Sequence, residues 1–81
     1  MTWERKIPEQ SGKYWAWCER DGDMMPVHVE VMDGYSVVKN EAGSTIGAIG
    51  PPPFLTFEKF TIVFSHFHPY QADAPRPPAR R

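Results

Sequence analysis

GKYWAWCERDGDMMPVHVEV, running from Gly12 to Val31, packs Tyr14, Trp15 and Trp17 into four residues of one short segment. It then offers a second segment in which Val27, Val29 and Val31 alternate with His28 and Glu30. Strict alternation is the mark of a strand with one face buried. The glycines between the segments, and at about ten-residue intervals along the rest of the chain, punctuate a series of short strands. A strand has two faces, so the three rings cannot share one side. The register of this first hairpin decides which of them face the core.

A three-residue loop over Arg20–Gly22 sets Trp15 opposite Val27 and Trp17 opposite Met25, and puts Tyr14 beside His28. A two-residue loop instead gathers Tyr14, Ala16 and Cys18 with Val27 and Val29, because a slip of one residue moves every side chain to the other face. Leaving two tryptophans exposed while burying Ala16 and Cys18 forgoes several kcal/mol at roughly 25 cal/mol per Å². The first register is therefore expected, with Trp15 and Trp17 in the core. Tyr14, Met24, His28, Met32 and Tyr35 remain as the candidate interface.

Working outward, Asp33-Gly34 follows the alternating strand at once, the strongest short-range hairpin signal. A two-residue loop there pairs Met32 with Tyr35, Glu30 with Val37 and Val29 with Val38. YSVVK (Tyr35–Lys39) is a third strand, NEAGS (Asn40–Ser44) a loop and TIGAI (Thr45–Ile49) a fourth strand. GPPP (Gly50–Pro53) lacks the donors for a sheet ladder and is expected to cross the surface as polyproline II. LTFEKF (Leu55–Phe60) fits a single helical turn. FTIVFSHF (Phe60–Phe67), apolar on both faces, reads as a last strand in a covered position. Ten Val and Ile residues against one leucine favour strands over helices. The expected fold is all-β: a small SH3-like barrel or bent antiparallel meander of about five strands, with one short helical turn. Residues 1–68 form the domain, and 69–81 a flexible tail rich in proline and arginine.

One cysteine, Cys18, excludes an internal disulfide. The start of the chain lacks a signal-peptide pattern and no segment is apolar enough to span a membrane, so a cytoplasmic protein is expected. The formal charge is -1; the tail carries Asp73, Arg76, Arg80 and Arg81, a net +2, which leaves the body at -3. An acidic body with scattered cations does not favour a phosphate backbone, and nucleic acid is the less favoured partner.

Catalytic constellations are missing. Ser65 and His66, as neighbours on a strand, are expected to point to opposite faces. Cys18 and His28 across the first hairpin are read as an unrelated pair, since a free cysteine is mostly a small buried residue. GSTIGAIG (Gly43–Gly50) lacks the Lys-Ser/Thr ending of a phosphate loop. His66 and His68, two apart on a strand, face one way and are the weak candidates for a metal. The preferred reading has them hydrogen-bonded at the rim of the sheet, with no metal and no cofactor. PRPPAR (Pro75–Arg80) has the pattern that SH3-type grooves accept, but such patterns arise easily in Pro/Arg-rich ends, and a plain solubilising tail is the favoured reading.

With GKYWAW followed by MPVHVEV, the stretch Gly12–Val38 resembles small phage- and prophage-type accessory proteins, which carry a Gly-x-Tyr-Trp strand and then a Pro-Val-x-Val strand. Trp17 and the Met24-Met25 pair depart from that pattern. The resemblance implies a small β protein that acts by occluding a host protein, and it transfers no catalytic residue. A non-enzymatic binding protein that inhibits or modulates a host or defence protein is thus the expectation. A nucleic-acid- or small-ligand-binding β module is the alternative, and homodimerisation through an uncovered strand edge stays open.

Overall fold

A computed structural model describes residues 2–78. Met1 and the last three residues, which include Arg80 and Arg81 of the tail and the end of PRPPAR, lie outside the described residues. The chain forms β1 (Gly12–Trp17), β2 (Met24–Val31), β3 (Ser36–Lys39), β4 (Thr45–Ile49), the single-turn helix α1 (Phe57–Phe60) and β5 (His66–Pro69). All pairings between strands are antiparallel, in the order β4-β3-β2-β1-β5. The sheet is open: β4 and β5 are opposite edges, and no barrel closes. Each edge carries a one-residue bridge, Leu55 against Ile49 of β4 and Glu4 against Phe67 of β5.

The second hairpin forms as its sequence dictates. Val29 pairs with Val38 and Glu30 with Val37, and the Met32 N–H donates to Tyr35 O at 2.8 Å. Gly34 takes φ +88° while Asp33 keeps a negative φ, the sign pattern of a type II turn, in which glycine carries the positive value.

The first hairpin differs from expectation. Trp15 pairs with Pro26, Trp17 with Met24 and Tyr14 with Val27. Cys18 N–H donates to Asp23 O at 2.9 Å, closing a loop over Glu19–Gly22, one residue longer than the expected one. That extra residue turns every side chain over. Ala16 and Cys18 share the core face with Val27, Val29, Val38 and Ile49, while Trp15 and Trp17 take the other face. The burial expected for Trp17 is still met, at 2 % exposure, but from the opposite side of the sheet.

The core face is roofed by α1 and the turn behind it. Thr56 caps the helix, accepting from Lys59 N–H at 3.3 Å. Phe60 is fully buried over Gly47, where a Cβ would stand 2.8 Å from the ring. The segment expected as a strand over Phe60–Phe67 winds helically first: Val63 and Phe64 N–H both donate to Phe60 O, at 2.8 and 3.2 Å. This sets Phe60 and Phe64 on the same core and leaves Ile62 and Val63 outside. Only then does β5 begin, at the edge of the sheet beside β1, with Phe67 and His68 buried. GPPP is likewise no extended spacer. Phe54 N–H donates to Pro51 O at 3.0 Å, the Pro52–Pro53 bond is cis, and the chain doubles back so that Leu55 pairs along β4.

Candidate functional site

The five candidate interface residues do not form one surface. Tyr14, expected outside, lies half-buried against the core, and its hydroxyl donates to Gln10 O at 2.8 Å. The reversed register of β1 is the cause. Met24 is half-buried opposite Trp17. His28 is exposed on the outer face, flanked by Lys13 of β1 and Lys39 of β3. Met32 and Tyr35 do come together, at the hairpin end of the sheet.

There they line an open groove of about 380 Å³ with Ile7, Val31 and Ile49. Met32 is 46 % exposed, and Tyr35 is held by stacking on Phe54 at 4.4 Å and 10°. The wall is built by the second hairpin, the N-terminal arm and the end of β4. An exposed methionine beside a fixed tyrosine supplies a soft, adaptable contact next to a rigid one.

His28 belongs to a different cleft of about 510 Å³, lined by Gly12, Lys13, Glu30, Lys39 and the loop Asn40–Gly43. Its cations are neutralised locally. Lys39 Nζ lies 2.7 Å from Glu30, and Lys13 Nζ lies 3.1 Å from Glu41. The hydrogen bond to Glu41 raises the Lys13 ammonium above its ordinary range, so the pair stays charged.

His66 and His68 share a face with Trp15 and Trp17. Each imidazole meets a different indole edge-on: His66 meets Trp17 at 5.3 Å, and His68 meets Trp3 at 5.3 Å. His68 is buried, and its Nδ1 lies 2.8 Å from Pro69 O; a carbonyl only accepts, so Nδ1 carries the proton. His66 Nδ1 lies 2.8 Å from Ser65 Oγ, a contact the sequence did not anticipate. Ser65 precedes β5 rather than lying within it, so strand alternation does not separate the two. The pair is no nucleophile and base, because Ser65 has no exposed surface and its hydroxyl is engaged by Glu19 N–H and Trp17 O. Burial lowers the His66 pKa, against the charge of Glu19, which raises it; Arg5 adds to the lowering.

Cys18 and His28 are not brought together. Cys18 is buried on the core face, with its thiol directed at Ile62 O at 3.5 Å. Among the described residues no three His, Cys, Asp or Glu side chains converge as metal ligands, and no helix is long and apolar enough to cross a membrane.

The feature missed by sequence reasoning is the aromatic face itself. Trp3, Trp15, Trp17, His66, His68 and Tyr70 cluster there, with Tyr70 stacked on Trp15 at 5.6 Å and 11°. The signal was present: an alternation in β1 that could bury a ring on either side, and four further rings, Trp3, His66, His68 and Tyr70, toward the two ends of the chain. The chain matches no protein-family model, and no curated protein or solved structure is similar to it.

Proposed function

We propose that this chain is a small non-enzymatic binding protein of the phage accessory kind, which occupies and inhibits or modulates a host or defence protein. The hairpin-end groove is its contact surface. The observation that carries this reading is the exposure of Met32 beside Tyr35 in an apolar groove of about 380 Å³, the one place where two of the candidate residues converge. Tyr and Met are enriched where interfaces exclude water. Ser65 has no exposed surface, so a substrate has no approach to its hydroxyl at the Ser65–His66 contact.

Capture of tagged protein from bacterial lysate, with and without nuclease, tests this reading against a Met32→Glu variant. One protein recovered in near-equal amount, unaffected by nuclease and lost with Met32→Glu, supports it. Recovery that depends on nucleic acid, or that ignores the substitution, contradicts it. Tyr14 does not belong in such a test, since its loss would disturb the core.

A second reading rests on the cleft around His28. Side chains of both signs, Lys13 and Lys39 facing Glu30 and Glu41, suit a small ligand that carries both charges better than a nucleic-acid backbone. That reading requires binding to be lost in Lys39→Gln and kept in Met32→Glu.

A further inference from the structure

The tail leaving β5 returns over the aromatic face, held there by a repeated kind of contact. Two indole N–H groups from different parts of the chain each donate to a main-chain carbonyl of the tail: Trp15 to Gln71 O at 2.9 Å, and Trp3 to Arg76 O at 2.6 Å. Between them Tyr70 lies flat on Trp15, with Lys13 Nζ 4.2 Å from its ring centroid. Pro75 and Pro78, either side of the second contact, are half-buried although the tail around them is exposed.

A proline-rich segment has fixed φ values, few N–H groups and carbonyls unused by secondary structure. A surface that recognises it must supply flat apolar rings and N–H donors spaced along it. A tryptophan supplies both in one side chain. Charge agrees, because the tail is +2 and the body -3. We infer that the aromatic face is a groove for proline-rich segments bearing basic residues, occupied in cis by the chain's own tail, and that it takes such a segment of another protein when the tail is released. None of the residues that hold the tail lines the groove at Met32 and Tyr35, so this inference and the proposed function stand or fall separately.

The tail competes with any incoming segment at an effective concentration of the order of millimolar, which hides the site in the intact chain. Tyr70→Ala weakens only the cis contact, since a peptide copying residues 69–81 brings its own tyrosine. Tyr70 is 42 % exposed, so its removal leaves the core untouched. The experiment is titration of that peptide into full-length wild-type and Tyr70→Ala chains, followed by the indole N–H signals of Trp3 and Trp15 in NMR spectra. The expected result is saturable movement of both signals, with affinity about tenfold higher for the variant, the scale of one lost aromatic stack. A peptide with alanine in place of Pro75, Pro77 and Pro78 binds at least tenfold more weakly. Core amide signals of Val29 and Val38 report that the variant is folded; were it not, the same titration on Pro75→Gly decides. The inference is overturned if neither indole signal moves in the folded variant, or if the proline-free peptide binds equally well. It is also overturned if the signals move with protein concentration alone, since the occupant is then a second copy of the chain.

Discussion

The two faces of this sheet are covered to different extents and by opposite means. One face is small and aliphatic, with Ala16, Val27, Val29 and Val38 under Phe60 and Phe64, all supplied by consecutive strands and the short helix that follows them. The other is built of large rings, Trp15 and Trp17 with His66 and His68, and is covered by the two ends of the chain. The first is almost wholly apolar, with its Cys18 thiol directed at Ile62 O, and can be sealed. The second presents indole and imidazole N–H groups that need acceptors, and it finds them in main-chain carbonyls, Gln71 and Arg76 of the tail and Pro69 at the end of β5. A sealed face makes a fold. A face completed by removable segments makes a fold with an opening, which is why the aromatic side is the one that can change state.

Phe60→Ala should have the largest effect, about 3–5 kcal/mol from lost burial and the cavity left behind, a large part of the 5–15 kcal/mol a domain has in total. Chemical denaturation followed by circular dichroism measures it. Gly47→Ala sharpens the same point: its added methyl meets the Phe60 ring, so it should cost about 1–3 kcal/mol in the native background and much less once Phe60 is alanine. Equal costs in both backgrounds would remove the helix from its place over β4.

On the aromatic side, Trp15→Ala should cost about 1–2 kcal/mol, as expected for a half-buried ring. It should also free the tail, so that protease cuts after Tyr70 while the sheet survives. A loss as large as that of Phe60→Ala would make the two faces equivalent. Gly34→Ala tests the turn alone, since nothing lies within 4 Å of the added carbon; only the positive φ resists it, at about 1 kcal/mol.

The smallest effect is that of pH. His66 binds its proton less readily folded than unfolded, because burial disfavours the charged ring. From an unfolded value near 6.5, the unfolded chain protonates first as pH falls. Stability is therefore complete above about pH 6.5 and declines below it. Denaturation midpoints at pH 7.5 and 5.5 should differ less in His66→Gln than in the native chain.

How much of this was legible follows the same division. The β2–β3 hairpin could be read in full, because Asp33-Gly34 fixes the loop at two residues and Val29 and Val38 can satisfy only one register. The β1–β2 hairpin could not, because Glu19–Gly22 contains several turn-forming residues and loop length sets parity. Energetics pointed to the wrong register through the assumption that only one face would be covered; the second face is covered by Tyr70, stacked on Trp15, and by Trp3, set against His68, from opposite ends of the chain and from no periodic pattern. Phe60 and Phe64 were read as strand neighbours because their i, i+4 spacing also fits an alternating pattern. Met32 and Tyr35 lie together because the second hairpin has the expected register, and Tyr14 lies against the core because β1 has the other one.

Hydrogen exchange of the intact chain, followed residue by residue in NMR spectra, tests the division of the two faces most directly. The account predicts that the amides of Val27, Val29 and Val38 exchange only through global unfolding, while the indole N–H groups of Trp3 and Trp15 exchange orders of magnitude faster, through release of the tail alone. Indole protons as slow as the core amides, falling with them in denaturant, would mean that the tail is an inseparable part of the fold and that the aromatic face never opens.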